Sequence, residues 1–338
     1  MKTFLVRIFP LRYTFLCIPF IYLFRCLSGL NFVGFFMQKD VVLITGANGM
    51  VARALSEELV RNGYFIRILT RHKRNENEYE WDVAKRRIEV EALQGVKHII
   101  HLAGAGVADK PWTSERKEVI RSSRIDSARL LLETLKANDI RIATFISASA
   151  VGFYGTLTGE NIFAENDKNG GDFLSHVCSE WERVGQAFSQ EGVSGRTVIM
   201  RNGIILAPQG GALVKMVRPV RWFVGAPLGS GKQYMPWIHI SDVCGIILHA
   251  LRNPTVSGIY NVVAPEHVRN AEFIRAIGCA IGRPVFFPSI PKWVICRVFG
   301  ERASILLEGS RVSAEKIISS GYRFKYVTLE KALDNLLR

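Results

Sequence analysis

Two glycines three residues apart, with a small residue three further on, make Gly46-Ala-Asn48-Gly49-Met50-Val51-Ala52 the first stretch of this chain equipped for chemistry. Gly46 permits a tight turn, Gly49 lets backbone approach a pyrophosphate, and Ala52 lets a helix pack closely on a strand. A helix opening there offers free N–H groups and the positive end of its dipole to phosphate. The spacing predicts a dinucleotide site, with Gly46, Asn48, Gly49, Met50 and Val51 around the phosphates. A second stretch, Leu69-Thr70-Arg71-His72-Lys73-Arg74, lacks the Asp or Glu that accepts hydrogen bonds from a ribose 2′-hydroxyl. A carboxylate would repel a 2′-phosphate, whereas the Thr70 hydroxyl and the Arg71 guanidinium suit it, so NADP(H) is preferred over NAD(H). Leu102, Ala103 and Gly104 are placed against the pyrophosphate and the nicotinamide ribose. Asp82, after Trp81, is a candidate adenine contact, or a plain loop aspartate.

The elements that must hold these residues follow from the apolar pattern. VVLIT (Val41 to Thr45) is a short continuous apolar run, as in a strand covered on both faces, and ARALSEELVRNG after it repeats its apolar residues on one helical face. Further strands are expected at YFIRILT, KHIIHLAG, ATFISASA and RTVIMRNGIIL, with helices between them. Alternating strands and helices predict an α/β fold, a Rossmann-like doubly wound parallel sheet with a smaller C-terminal α/β substrate lobe. We expect the sheet domain over residues 37–206, later segments returning to it, and the lobe over 207–338. After Leu206 the Gly, Pro and Trp content rises, and a cleft between two lobes is a common place for a substrate. No internal repeat or low-complexity tract is present.

The chain has 338 residues and a net charge of +14. That balance admits anionic partners, but no RNP motif, CxxC pair, HExxH or dense Lys/Arg block accompanies it, so nucleic acid and a metal are not expected. A phosphate-bearing cofactor accounts for the charge more simply. The six cysteines are far apart among apolar neighbours and read as reduced thiols of a cytoplasmic protein. Residues 1–36 stand apart, with Lys2, Arg7, Arg12 and Arg25, no acid, and aromatic-rich apolar runs on either side of Arg25. A membrane span carries the cost of Arg25 near its centre and of Pro19, and a secretory signal lacks a convincing cleavage site. Translation starting at Met37 is the favoured reading. Membrane association through residues 1–36 is the alternative localisation, and membrane contact is expected only if that leader is real.

Taken together, TGANGMVARAL, LTR, HLAGAGV, KPWTSERKEVIRSSRIDSARLL, ISASAVGFYG, DFLSHVCSEWE, RNGIILAPQGGALVKM, GAPLGSGKQYMPWIHISDV and NVVAPEHVRNAEF resemble the extended short-chain dehydrogenase/reductase superfamily. The chain is most similar to its atypical branch, the epimerase-family oxidoreductases with a small uncharacterised C-terminal domain. The resemblance runs from about Val41 to the C-terminus. It implies that Ser149 orients a substrate oxygen, where a Tyr would normally move the proton and, four residues on, a Lys would lower the Tyr pKa and hold the ribose. Here the corresponding residues fall among Leu174 to Cys178, and neither Tyr nor Lys is present. Substitute proton carriers are Tyr154, His176, Asp172, Glu165 and His239. Tyr154 is taken with Ser149 as the catalytic pair, although a ring that only lines the cleft outweighs proton abstraction for it. His239 and Arg201 are taken for substrate binding, against a structural role for His239 with Asp242 and an internal salt bridge for Arg201. The implied function is an NADP(H)-dependent oxidoreductase or epimerase-like enzyme on an unidentified small molecule. The alternative is an NADP(H)-binding sensor with little or no catalysis. The loops Gly210-Gly211-Ala212 and Pro227-Leu-Gly-Ser-Gly favour the enzyme.

Overall fold

A computed structural model describes residues 39–338; the readings of the leader concern a segment outside the described residues. In β1 (Val41–Thr45) the four residues Val42 to Thr45 are fully buried. Successive strand side chains point to opposite faces, so an unbroken buried run requires cover on both. β2 (Phe65–Thr70), β3 (Glu78–Asp82), β4 (Arg87–Ile88), β5 (His98–His101), β6 (Ile142–Ala150), β8 (Ser194–Asn202) and β11 (Gly258–Val262) complete one sheet in the spatial order β11-β8-β6-β5-β1-β2-β3-β4. All neighbours are parallel except β3 and β4. The chain leaves β1 toward β2 on one side and returns to β5 on the other. The carboxyl ends of β1 and β5 therefore flank the switch point at which doubly wound sheets bind ligands.

On one face α1 (Met50–Arg61) buries Ala52, Leu55 and Leu59. The other face is covered by α2 (Ser114–Ala137) and α3 (Phe173–Gln190). The smaller lobe holds its own cluster, with Leu213, Val217 and Val220 of α4 (Gly211–Arg221) against Phe273 and Ile277 of α6 (Asn270–Ala280). Between these two helices the chain goes back to the large sheet. α5 (Ile240–Arg252) shares the core of α1, and β11 pairs with β8. Residues beyond 206 thus supply the last strand of the large sheet. Two short parallel pairs tie later segments down: β9 (Ile204–Leu206) with β10 (Trp237–His239), and β7 (Ile162–Phe163) with β12 (Arg311–Val312). Among the described residues no helix is long and apolar enough to cross a membrane.

One buried group makes the fold sensitive to acid. His101 closes β5 with Nδ1 2.9 Å from the Thr45 hydroxyl and Nε2 3.2 Å from that of Ser127. The Ser127 hydroxyl donates to Ser123 O, and the Thr45 oxygen accepts from the amides of Leu102 and Ala103. A neutral ring with its proton on Nε2 satisfies all of these. Burial lowers its pKa from 6.5 to about 4, and burial likewise brings His98 down to about 4. Because both folded-state values lie below the unfolded one, the stability tied to neutral rings is complete above pH 6.5. It is lost as pH falls toward 4. Urea midpoints are expected to fall across that interval, and to fall less steeply in His101→Gln than in the parent. An unchanged slope in the variant would remove His101 as the cause.

Candidate active site

The cofactor side is built where β1 and β5 end. Gly46 adopts φ +75°, and a Cβ there would lie 2.7 Å from Leu102 O, just past the end of β5 across the switch point. The turn closes with Gly49 N–H donating to Gly46 O at 2.8 Å. Gly49 caps α1 without a side chain, and the first turn of α1 holds no acid, so its amides face outward with no anion of the chain's own. Asn48 O accepts from Arg53 at 3.1 Å. Thr45, bonded to the amides of Leu102 and Ala103, fixes these two residues against Gly46. Next to them the Arg124 guanidinium lies against Gly104, where a Cβ would be 3.1 Å from it. It donates to Ala105 O and Ile120 O, both at 2.9 Å. Met50 is met by Gly211, where a Cβ would lie 3.2 Å from the Met50 sulfur. The loop at the start of α4 thus covers the start of α1. A dinucleotide fits this cradle: Gly46 admits no side chain, and a helix end is left uncapped. Arg71 is exposed just beyond β2, while the buried Thr70 hydroxyl bonds within its own turn to His72. Asp82 ends β3 and accepts from Lys85 N at 3.0 Å, the geometry of a turn.

The substrate side depends on strand register. Ser149 of β6 and Arg201 of β8 are direct partners in the parallel pair, so their side chains emerge on the same face. Over that face lies α3, with Cys178 and Glu182 one turn apart on its buried side. The Ser149 hydroxyl donates to Glu182 Oε1 at 2.6 Å. Arg201 forks onto the same carboxylate, Nε to Oε1 at 2.9 Å and Nη2 to Oε2 at 2.8 Å. Cys178 sits beside Ser149, and burial pushes its thiol up to about 12. It is a core thiol with no activating base.

Tyr154 does not reach an open cleft. It ends the helical turn Val151–Tyr154, is fully buried, and donates its hydroxyl to Asn261 Oδ1 at 2.7 Å while accepting from Arg201 Nη1 at 3.0 Å. Burial pushes the phenol up to about 12. The expectation of a catalytic Tyr154 is therefore corrected: its proton is committed to Asn261, and removing it is harder than from a free phenol. Arg201 is corrected likewise. Paired with Glu182, bonded to Tyr154 and lying 3.4 Å over the Phe153 ring, it is an internal cation rather than a substrate anchor.

His239 caps α5 by accepting from Ser241 N at 3.0 Å and stacks on Tyr326 at 3.9 Å between centroids. Asp242 accepts from the Tyr322 hydroxyl and from the amides of Lys325 and Tyr326. The pair fastens the 322–326 segment to α5, and its bonds do not join His239 to the Ser149 cluster. Asp172 caps α3 by accepting from Ser175 N, and His176 is exposed with Nδ1 2.7 Å from Asp172 O. Glu165 accepts from Asn261 N at 2.8 Å. None of the three touches Ser149. Two residues were missed from the sequence, Glu182 and Arg124. Glu182 lies eight residues after Leu174, and only the packing of α3 over β6 and β8 reveals it as the partner of Ser149.

Comparison with known proteins agrees with this architecture. The NAD dependent epimerase/dehydratase family matches residues 42–263, and a domain of unknown function, DUF1731, matches residues 290–336. The chain is 32% identical over 321 residues to the chloroplastic epimerase family protein SDR39U1 homolog of Arabidopsis thaliana, covering 89% of this chain and 88% of that protein. It is 33% identical over 300 residues to epimerase family protein YfhF of Bacillus subtilis, covering 88% and 97%. A crystal structure of human epimerase family protein SDR39U1 (isoform2) with NADPH superposes with a TM-score of 0.79 at 30% identity, covering 88% of this chain and 98% of that one. The Thermus thermophilus UDP-glucose 4-epimerase, at 19% identity and a TM-score of 0.69 over 87% of this chain and 96% of that one, shares the fold. With a glycine turn at the switch point and a matching sheet, the chain belongs to the NAD dependent epimerase/dehydratase family.

Proposed function

We propose that the protein is an NADP(H)-dependent oxidoreductase of a small molecule in which Ser149 and Glu182 carry the proton that a Tyr, assisted by a Lys, carries in the wider superfamily. The observation behind this reading is the 2.6 Å hydrogen bond from the Ser149 hydroxyl to Glu182. A serine that donates to a carboxylate presents its oxygen to the site as an acceptor. A substrate hydroxyl can give its proton to Ser149 Oγ as the serine passes its own to Glu182. A nicotinamide cofactor, when bound, would supply the other half as acceptor or donor of the hydride exchanged with the alcohol carbon. In reduction the proton returns from Glu182 through Ser149 to the carbonyl oxygen. Arg201, held on both carboxylate oxygens, fixes Glu182 in line with Ser149. The glycine turn and the first turn of α1 would hold the pyrophosphate, and Arg71 the 2′-phosphate. The human relative's structure with NADPH supports that choice of cofactor.

A sensor that binds NADP(H) without turnover is the second reading, favoured by the closure of the site: Ser149, Cys178 and Glu182 are each at most 5% exposed. Titration with NADPH and NADH, followed by nicotinamide absorbance over a panel of carbonyl compounds, separates the two. NADPH is expected to bind at least about tenfold more tightly than NADH, with Arg71→Ala narrowing the gap, as befits a charge-assisted phosphate contact. Ser149→Ala and Glu182→Gln are each expected to lower turnover by about 10²–10⁴ without changing NADPH affinity, the range of a lost proton carrier. Tight NADPH binding with no turnover on any compound would select the sensor. Turnover untouched by both substitutions would reject the relay.

A further inference from the structure

The smaller lobe exposes an apolar face that the chemistry of the cleft does not use. Trp222, Phe223 and Val224 follow α4 at the surface, and Trp222 is 72% exposed. Phe286, 64% exposed, and Phe287 lie in the loop after α6, and Trp293 of α7 (Lys292–Phe299) is 73% exposed. The structure stitches these segments together at both ends. Arg283 lies 4.6 Å over the Phe223 ring, and residues 227–229 are hydrogen-bonded to Ile290, with Ile290 N to Pro227 O at 2.8 Å and Gly229 N to Ile290 O at 2.9 Å. Between these ties the Phe286 and Phe287 rings lie against each other, tilted by 31° with centroids 4.9 Å apart.

The segments that carry these rings hold charge of one sign. The sequence holds no Asp or Glu between Glu191 and Asp242, or between Glu272 and Glu301. Arg218, Arg221 and Arg283 are exposed on the same segments, and among the described residues none has a carboxylate within ion-pairing distance. Lys292, at the edge, is 3.9 Å from Glu308. Exposed aromatic rings beside unpaired arginines, on segments that hold no acid of their own, match a bilayer interface, where rings sit at headgroup depth and cations meet anionic lipid. A second copy of the chain is a poor occupant. A two-fold contact would bring the patch onto itself and set arginine against arginine, with no carboxylate on these segments to separate them.

We propose that the face formed by Trp222–Val224, Phe286, Phe287 and Trp293 is a docking surface for an anionic lipid bilayer. The full chain is the protein to test, with sucrose-loaded vesicles of phosphatidylcholine alone or mixed equally with phosphatidylglycerol. It is expected to sediment with the mixed vesicles more than with phosphatidylcholine, and less so as salt is added. Each of Arg221→Ala and Arg283→Ala should reduce partition about fivefold, the share of one juxtamembrane cation. Trp222→Glu combined with Phe286→Glu should reduce it further while leaving the thermal midpoint near that of the parent. These four sites are exposed, so a folding defect is not expected, and circular dichroism checks it. Equal sedimentation of parent and variants would assign any membrane contact to another part of the chain and overturn the proposal. A parent dimer in light scattering that the glutamate variant converts to a monomer, with no vesicle binding by either, would overturn it in favour of a second copy.

Discussion

Replacing Glu182 by Ala is expected to destabilise the protein by about 3–5 kcal/mol, because it strands the Arg201 guanidinium in the core. Arg201 and Glu182 have side chains only 2% and 4% exposed. The other Arg201 partners, Tyr154 and Glu165 O, are neutral and cannot balance its charge. At about 2–4 °C per kcal/mol for a large domain, the thermal midpoint should drop by roughly 10 °C. Removing both charges with Glu182→Leu and Arg201→Met is expected to cost less than the single change, since the desolvated charge goes with its partner. Denaturant unfolding of the two singles and the double measures the coupling. A single-variant loss below about 1 kcal/mol would mean that this pair behaves like an exposed one.

Gly46→Ala is expected to be the most damaging single methyl group in the cofactor cradle. The residue sits at φ +75°, and the added carbon would lie 2.7 Å from Leu102 O, a backbone atom that cannot swing aside. The left-handed conformation alone costs about 1–2 kcal/mol for an L-residue. The overlap must then push the end of β5 away from β1, and the phosphate turn with it. We expect NADPH affinity to fall at least 100-fold, about 2.7 kcal/mol, together with a lower thermal midpoint. Gly63→Ala is the matched control. It has φ +86° but meets nothing within 4 Å, so it carries the conformational cost alone and should leave NADPH binding intact. Equal loss of binding in the two variants would show that the overlap with Leu102 is not the cause.

The contrast between these two sites shows which parts of the protein could be read from the sequence. Gly46 and its neighbours belong to a local pattern: a strand, a turn and a helix within a dozen residues, each with its own signature. That is why the turn, the uncapped helix and the covered strand β1 were all expected. The Ser149 cluster is assembled from three elements whose relation is fixed by the register of β6 on β8, and register is not written locally. Tyr154 looked available because it follows Ser149 by five residues. The turn after β6 instead sends its ring inward, stacked 5.1 Å from Phe163 and bonded to Asn261 on β11, over a hundred residues later. Arg201 ends a strand where an anion could dock, and only the arrival of Glu182 from α3 turns it into an internal cation.

The two fastenings made by the 311–326 segment bear on the order in which the protein can be completed during synthesis. Val312, Ala314, Ile317 and Tyr322 belong to the same buried cluster as Val42, Leu55 and Ile247, and the Tyr322 hydroxyl is bonded to Asp242. The large sheet has all its strands once β11 is made, yet the core beneath α1 and α5 is still open on that side. A nascent chain that has already folded its sheet must therefore carry an uncovered apolar surface while the intervening residues of the smaller lobe are added. That interval is when aggregation or chaperone capture competes with folding. Loss of the final segment would leave the molecule in that state permanently.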